Sequence, residues 1–471
     1  MVNDYYAWCG WSTTVLPAKS GIDISTYYVS LLTSGDSAGE RRTPRVHPTP
    51  VVSRWIEAAT ADGHLCTEGI VMTEVLSPEA TQASSREADY LERARSIASL
   101  IRDEAEAIER ERTITKPVAD ALVELGLHGM LIPEDLGGGG LLPSEGMRVF
   151  EEVTKADASV GWAWMASEWG TAGVVGYLAP EVAATVFSAD RPFIAAGQLL
   201  PRHMGIQVDG GYIIDGDYSF ASGSDHATWI GAGFIVADEN GAPILGENGQ
   251  PQARIALMPK DQVEFTKNWD VWGLAGTGSH DYRVTKQFVP AEYTTPTFGG
   301  TATRPDVMYQ LTNELAGGLP HASIALGIAT RALELVADLT TGKMRPNYTI
   351  PVGEADFFRI DFARKEANLR AARLYVYDVT TTAENTVAAG EPITPEHVAR
   401  VTQMLSWVHE VALDAVEFAH RWGGSKSIGS TSTLGRYVRD MHVATQHLLV
   451  DPKMLVDSAA VLLPIYARAE D

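Results

Sequence analysis

Apolar and polar positions recur along this chain with two different periods, and the changes of period divide it into parts. From Arg86 the run READYLERARSIASLIRDEAEAIERER sets Leu91, Ala94, Ile97 and Ile101 three and four residues apart, the spacing that gives a helix one apolar stripe. PVADALVELGLHGML keeps that period up to a break at IPEDLGGGG, after which SEGMRVFEEVTKA, the long apolar SVGWAWMASEWGTAGVVGYL and APEVAATVF resume it. Residues 85–190 therefore read as an all-helical domain. Over 191–305 the period shortens, with β-type runs in GGYIIDGDYSF, WIGAGFIVAD, ARIALMP, VEFT and YRVTKQFVP. The dipeptide Asp215-Gly216 suits a tight hairpin turn, so a β-domain of antiparallel hairpins is predicted. Helices return over 306–471 in LPHASIALGIATRALELVADL, DFFRIDFARKEANLRAARLYVYDVTTTAENT, PEHVARVTQMLSWVHEVALDAVEFAHRW and TLGRYVRDMHVATQHLL, apolar on more than one side as in a bundle that also serves as an oligomer core. Residues 1–84 show no sustained period and end in SPEATQASS; they are expected to be a disordered or loosely attached extension, with Met72 in VMTEVL as an alternative start.

Composition narrows the function classes. The chain has 471 residues, 45% of them hydrophobic and 21% charged, enough for two or three domains with a sizeable core. Its 37 Lys+Arg against 60 Asp+Glu give a net charge of −23, which opposes binding to nucleic-acid phosphates. No apolar run reaches the roughly 20 residues that cross a bilayer, so no membrane partner and a cytoplasmic setting are expected. Two cysteines, Cys9 and Cys66, offer neither a disulfide framework nor a thiolate cluster.

Familiar motifs are informative by their absence. GLAGTGSHD lacks the third glycine of a dinucleotide fingerprint and runs into a strand, so redox chemistry here needs a separate hydride source. Gly342-Lys343 is followed by Met344, which removes the nucleotide-hydrolase loop. HEVAL has Leu413 where a zinc helix needs its second histidine, and no metal is assigned. No G-x-S-x-G elbow occurs.

Taken in order, IPEDLGGGG, GLAGTGSHDYRVTKQFVP, ALGIATRALELV, and WGGS followed by RYVRD resemble the acyl-CoA dehydrogenase superfamily over about residues 86–465. The resemblance implies an α+β multidomain fold: an N-terminal helical domain, a central β-barrel-like domain and a C-terminal four-helix bundle, with a flavin between the last two and a homotetramer or dimer as the assembly. The dehydrogenases' [YF]-E-G-T base motif is missing, and ATQHLLVDP with His447 stands in its place. FASGSDHATW is instead similar to the F-x-S-G-x-x-H-A-x-W run of the flavin-dependent monooxygenases of this fold. That branch implies the oxygenase component of a two-component enzyme. It would take reduced flavin (FMNH2 or FADH2) from a separate NAD(P)H-dependent reductase and, through a C4a-hydroperoxide, hydroxylate a phenol-like or polycyclic aromatic substrate.

Site residues follow partly from the resemblance and partly from chemistry. A flavin hydroperoxide decays unless water is excluded and a positioned donor stands near N5. Ser222 is the expected donor, with Phe220 and Ala221 as apolar wall and backbone contacts; the plainer alternative is a serine that closes a turn. Histidine suits the removal of a phenol proton near neutral pH, and the expected base is His447. Continued as a helix, Arg436, Asp440, Val443 and His447 fall within about 40° of one stripe, whereas His442 faces elsewhere. Trp162 matches the family's aromatic position beside the flavin, with plain helix core as its alternative. Arg345, Gly423, Gly424 and Ser425 are expected at a phosphate, His226 on the pocket wall against substrate, and His280 in a turn. Three other readings stay open: a dehydrogenase recruiting Asp440 or Glu410 as base, an N-hydroxylase of an amino sugar, and a non-enzymatic flavin-binding scaffold.

Overall fold

The computed structural model describes residues 84–188, 192–297 and 300–467. The expectations for the N-terminal extension and for Met72 lie outside the described residues. The first stripe forms two helices, α1 (Ser85–Ser96) and α2 (Ala98–Glu111), which break at Ile97. Ser84 caps α1 by accepting from the Glu87 amide at 3.0 Å. Four helices follow: α3 (Lys116–Glu124), α4 (Pro143–Thr154), α5 (Ala158–Val175) and α6 (Pro180–Phe187).

Helix α5 is apolar on all sides because it has no solvent face: Trp162, Ala163, Trp164, Met165 and Trp169 are all buried. Its one acid, Glu168, is buried and accepts the amides of Gly129 at 2.7 Å and Leu131 at 2.9 Å, which ties the glycine-rich break to the helix.

Seven strands form one sheet: β1 (Ala195–Val208), β2 (Gly211–Ala221), β3 (Trp229–Ala237), β4 (Ala253–Pro259), β5 (Glu264–Phe265), β6 (His280–Pro290) and β7 (Thr294–Pro296). Their order is β5-β6-β2-β1-β3-β4-β7. The sheet is mixed and not purely antiparallel, because β1 and β3 pair in parallel, from Ala195↔Trp229 to Ile206↔Ala237. The predicted hairpin turn is also displaced. The chain reverses at Asp209-Gly210, where Val208 pairs with Gly211 and Gly210 takes φ +72, while Asp215 and Gly216 lie inside β2 at an irregularity of its pairing with β6. Asp215 stays there because Arg283 on the neighbouring strand pairs with it.

This topology places one short loop at a junction. Strands β2 and β3 lie on opposite sides of β1, so residues 222–228 must step across the end of β1 at Ala195, two strand spacings or roughly 10 Å. That loop is the SGSDHAT segment.

The C-terminal part consists of α7 (Leu319–Thr340), α8 (Asp356–Ala388), α9 (Pro395–Gly423), α10 (Thr433–Ala444) and α11 (Lys453–Ala467), with α9 packed against each of the other four except that α10 also rests on α7. No described helix is long and apolar enough to cross a membrane.

Close packing fixes where α5 sits. A methyl group on Gly161 would lie 2.1 Å from Thr154 Oγ1, and one on Gly327 of α7 would lie 2.7 Å from the Thr154 Cβ. Three helices thus close on one threonine, next to Trp162. Gly161→Ala is expected to lower the unfolding free energy by about 1–3 kcal/mol, read from the midpoint of a urea titration, since neither backbone can give way cheaply.

Candidate functional site

Strand β2 ends in an unusual turn. Phe220 takes φ +62, a conformation that an aromatic residue rarely adopts, and the pairing with β6 shifts between Tyr218 and Ala221. The result separates three neighbours. Phe220 is thrown outward, 63% exposed, with its edge towards Trp269 (6.1 Å between ring centres). Ala221 is fully buried, and Ser222 turns its hydroxyl towards helix α5. Gly223 follows at φ +75, and a Cβ there would sit 2.8 Å from the Ala163 carbonyl, so only glycine lets the loop lie this close to α5.

Ser222 Oγ accepts from Trp162 Nε1 at 3.3 Å and is 2.7 Å from Ser279 Oγ. Ser279 Oγ is in turn 2.7 Å from Thr277 Oγ1, whose hydroxyl donates to the Leu274 carbonyl at 2.9 Å. Trp162 also touches two imidazoles, His321 at 5.0 Å and His447 at 5.7 Å between ring centres, and these two stack on each other at 4.2 Å. Three of the predicted residues, Ser222, Trp162 and His447, therefore meet.

The reason for the meeting differs from the expected one. Helix α10 stops at Ala444, so His447 does not continue the stripe of Arg436, Asp440 and Val443. It lies in the turn beyond, in extended backbone (φ −70, ψ 137), with its Nδ1 accepting from the Leu449 amide at a long 3.4 Å. The sequence reading missed His321, at the third position of α7. A histidine that follows Pro320 at the start of an otherwise apolar helix was the signal available.

Burial holds these rings neutral. It pushes His447 down to about 4, and it pushes His321 well below the usual histidine range, with His447 and His409 adding repulsion. His409 in α9 is also pushed to about 4 by burial; its Nδ1 donates to the Leu405 carbonyl at 2.8 Å, leaving Nε2 as a bare acceptor. The buried nitrogens His321 Nδ1 and His409 Nε2 have no hydrogen-bond partner.

Leu274, in the loop before β6, anchors this arrangement from below. It takes φ +50, and its N–H donates to Asp440 Oδ1 of α10 at 2.6 Å. A Cβ on Gly273 would lie 2.1 Å from the Arg439 carbonyl, so the loop is pressed flat on α10. Burial, then repulsion from Asp157, pushes the Asp440 carboxyl up to about 8, against the pull of the Leu274 amide and Arg436. Asp157 caps α5 through the amides of Ser159 and Val160 and is pushed up to about 6 by burial, with Arg436 opposing.

The other predicted residues lie elsewhere or serve otherwise. His226 Nε2 is spent on the Ile114 carbonyl at 2.7 Å and makes no ring contact with Trp162, His321 or His447. His280 is not in a turn: it opens β6, buried beside Asp225 at 3.4 Å. Arg345, Gly423, Gly424 and Ser425 do assemble, at the end of α9. Arg345 donates to the carbonyls of Arg421 (3.2 Å) and Trp422 (3.0 Å) and covers the Trp422 ring, and Gly424 takes φ +58. Lys343, which the sequence reading passed over, donates to the Gly423 carbonyl at 2.7 Å, and burial with Arg345 and Lys426 nearby lowers its pKa. Among the described residues no carboxylate forms an ion pair with Lys343, Arg345 or Lys426. An uncompensated cationic corner of this kind fits a phosphate.

Residues 86–182 match the family model of the acyl-CoA dehydrogenase N-terminal domain, and 319–452 that of an acyl-CoA dehydrogenase C-terminal domain. The chain is 30% identical over 354 residues to an indole-3-acetate monooxygenase of Pseudomonas putida, covering 74% of this chain and 87% of that one. It is 24% identical over 364 residues to the flavin-dependent monooxygenase oxygenase subunit HsaA of Mycobacterium tuberculosis, covering 75% and 89%. Among solved structures, XiaF from Streptomyces sp., determined with FADH2 and glycerol, superposes with a TM-score of 0.74 at 18% identity, over 80% of this chain and 96% of that one.

Asp440 gives a test of the anchor. A carboxyl raised in the folded state contributes stability that is complete below its unfolded value of about 4 and is lost as pH rises to about 8. Asp440→Asn keeps an acceptor for the Leu274 amide but cannot titrate. The difference in unfolding free energy between wild type and variant is therefore expected to move against wild type from pH 4 to 8, by at most about 1.4 kcal/mol per unit, and to level off above.

Proposed function

Because the chain belongs to the acyl-CoA dehydrogenase superfamily, in its flavin-dependent monooxygenase branch, we propose that it is the oxygenase component of a two-component enzyme that hydroxylates an aromatic substrate with reduced flavin and dioxygen. One oxygen atom enters the ring and the other leaves as water, with two electrons from the flavin. A separate reductase supplies those electrons from NAD(P)H in the cytoplasm.

The observation that carries this reading is the convergence of a half-buried hydroxyl and two neutral imidazoles on Trp162. The residues fit a flavin: Phe220 is a large aromatic surface left uncovered beside Ser222, and the corner of Lys343, Arg345 and Gly424 suits a phosphate of FMN or FAD. When bound, reduced flavin supplies the activation of dioxygen. Ser222 would hold the flavin by its N5 edge. Trp162, buried among the packed helices, keeps water from that edge. The stacked pair of His321 and His447 takes the proton of the substrate hydroxyl. His321 Nδ1 is free to receive it, and His447 becomes so once the long Leu449 bond is given up. His226, fixed to Ile114 through Nε2, positions the loop.

A dehydrogenase is less well supported. Asp440 is committed to the Leu274 amide and Glu410 is exposed on α9, so neither candidate carboxylate joins Ser222 and Trp162. We also propose that copies associate through the last helix, since Val456, Leu463 and Tyr466 of α11 are each at least two-thirds exposed. That face accounts for the expected tetramer or dimer.

With a flavin reductase, NADH and a panel of phenols and indoles, the purified chain is expected to insert one atom of labelled dioxygen into an aromatic product. No labelled product across the panel, or steady NAD(P)H consumption without a reductase, would overturn the reading. Ser222→Ala is expected to bind flavin but to raise hydrogen peroxide at the expense of product, measured as moles of each per NADH.

His447→Ala should slow product formation by roughly 10² to 10⁴. The sign of its pH dependence follows from burial: a ring held at about 4 stays unprotonated above that pH, so the wild-type rate is expected flat from about pH 6 to 9 and to fall only towards 4. An acid limb near 6.5 would show that the ring is not buried in the working enzyme.

A further inference from the structure

We propose that Thr277 and Ser279 fix the direction in which the Ser222 hydroxyl points, so that the site distinguishes reduced from oxidised flavin. This rests on the reading above, in which the chain takes up reduced flavin, and adds to it two positioning residues.

The number of protons available sets the direction of these bonds. A carbonyl oxygen can only accept, so the single Thr277 hydroxyl proton must lie on its 2.9 Å contact with the Leu274 carbonyl. Turned elsewhere, it would leave two oxygen lone pairs facing each other in a buried place. Thr277 therefore accepts at its 2.7 Å contact with Ser279, and Ser279 is the donor there. With its own proton spent, Ser279 accepts at its 2.7 Å contact with Ser222, and Ser222 is the donor. Trp162 Nε1 can only donate, and it donates to Ser222 at 3.3 Å. All four bonds run one way, from Trp162 through Ser222, Ser279 and Thr277 to Leu274. Thr277 and Ser279 are 1% and 3% exposed, so solvent does not compete for these protons. The end of the chain is itself pinned, because Asp440 holds the Leu274 amide.

Ser222 is left with its proton committed inward and one lone pair outward. The sequence reading cast it as a donor; the direction of the chain makes it an acceptor. Reduced flavin carries a hydrogen on N5 and meets that lone pair as a donor. Oxidised flavin has a lone pair at N5, and the two would repel. The hydroxyl chain thus favours entry of the reduced form and departure of the oxidised one. Neither Thr277 nor Ser279 needs to touch flavin.

The test is the ratio of dissociation constants for oxidised and reduced FMN and FAD, titrated without oxygen into the whole chain. Wild type is expected to favour reduced flavin by about tenfold or more, the scale of one hydrogen bond gained against one lone-pair clash. In Thr277→Val, Ser279 has lost its acceptor and turns to donate to Ser222, whose proton is driven outward; the ratio is expected to fall about tenfold, with oxidised flavin binding more tightly. Ser279→Ala should lower the ratio by freeing Ser222, while Thr277→Ser, which keeps the hydroxyl, should retain the wild-type value. A merely structural defect would weaken both redox forms together. An unchanged ratio in the folded Thr277→Val and Ser279→Ala proteins overturns the proposal, as does a wild-type ratio of one or below. If flavin binds and product forms but the ratio does not respond, only the proton direction is wrong. If neither flavin binds to wild type, the function proposed above fails and this inference with it.

Discussion

The backbone of one residue holds the described structure together where its parts meet. Leu274 gives its N–H to Asp440 of the C-terminal bundle and its carbonyl to Thr277 and to the Trp269 indole, both in the β-domain. Two residues on, the Gly276 amide donates to Ser159 in the first turn of α5. Helical domain, sheet and bundle are thereby fixed against a single loop, and the hydroxyls around Ser222 are arranged on it. The loop can serve only because glycines at 273 and 276 let two helices approach its backbone, where a Cβ would lie 2.1 Å from the Arg439 carbonyl and 2.2 Å from Ile108 Cγ2. Position along the chain says little about this. Leu274 and Asp440 are far apart in sequence, and neither is a residue type that announces such a role.

Much of the architecture could be read from periodicity, because burial imposes it locally. The fully apolar α5, the alternation along β2 and the near-continuous apolar runs of β3 and β4 depend on which faces meet the core, and that is written residue by residue. Where the reading went astray, a contact between distant segments had overruled a local preference. Asp215-Gly216 is a good turn dipeptide, but Arg283 pairs with Asp215 inside the sheet and the reversal falls at Asp209-Gly210 instead. The parallel pairing of β1 with β3 could not be read locally either: β3 is buried almost throughout, and an apolar run such as WIGAGFIVA does not say in which direction its partner runs.

The site shows the same division. Motif likeness pointed to Ser222, Trp162 and His447, which do meet, but the helical stripe used to support His447 does not exist beyond Ala444. His321 escaped because nothing in a run of small and apolar residues marks one imidazole as facing another. Ser279 and Thr277 stood in a stretch already noted as a failed nucleotide fingerprint, and their part is visible only once hydrogen bonds are counted in order.

The cationic corner at the end of α9 has a bearing on kinetics that its geometry alone does not suggest. A chain carrying −23 repels anions at long range, and a flavin phosphate is an anion. Lys343, Arg345 and Lys426 make a small cationic spot in that field. If that spot takes the flavin phosphate, as proposed above, flavin arriving from another protein would be slowed everywhere except where its phosphate end leads. Salt shortens the reach of the repulsion and of the attraction alike, so an anion's rate of capture at that spot would depend on ionic strength through the balance of the two.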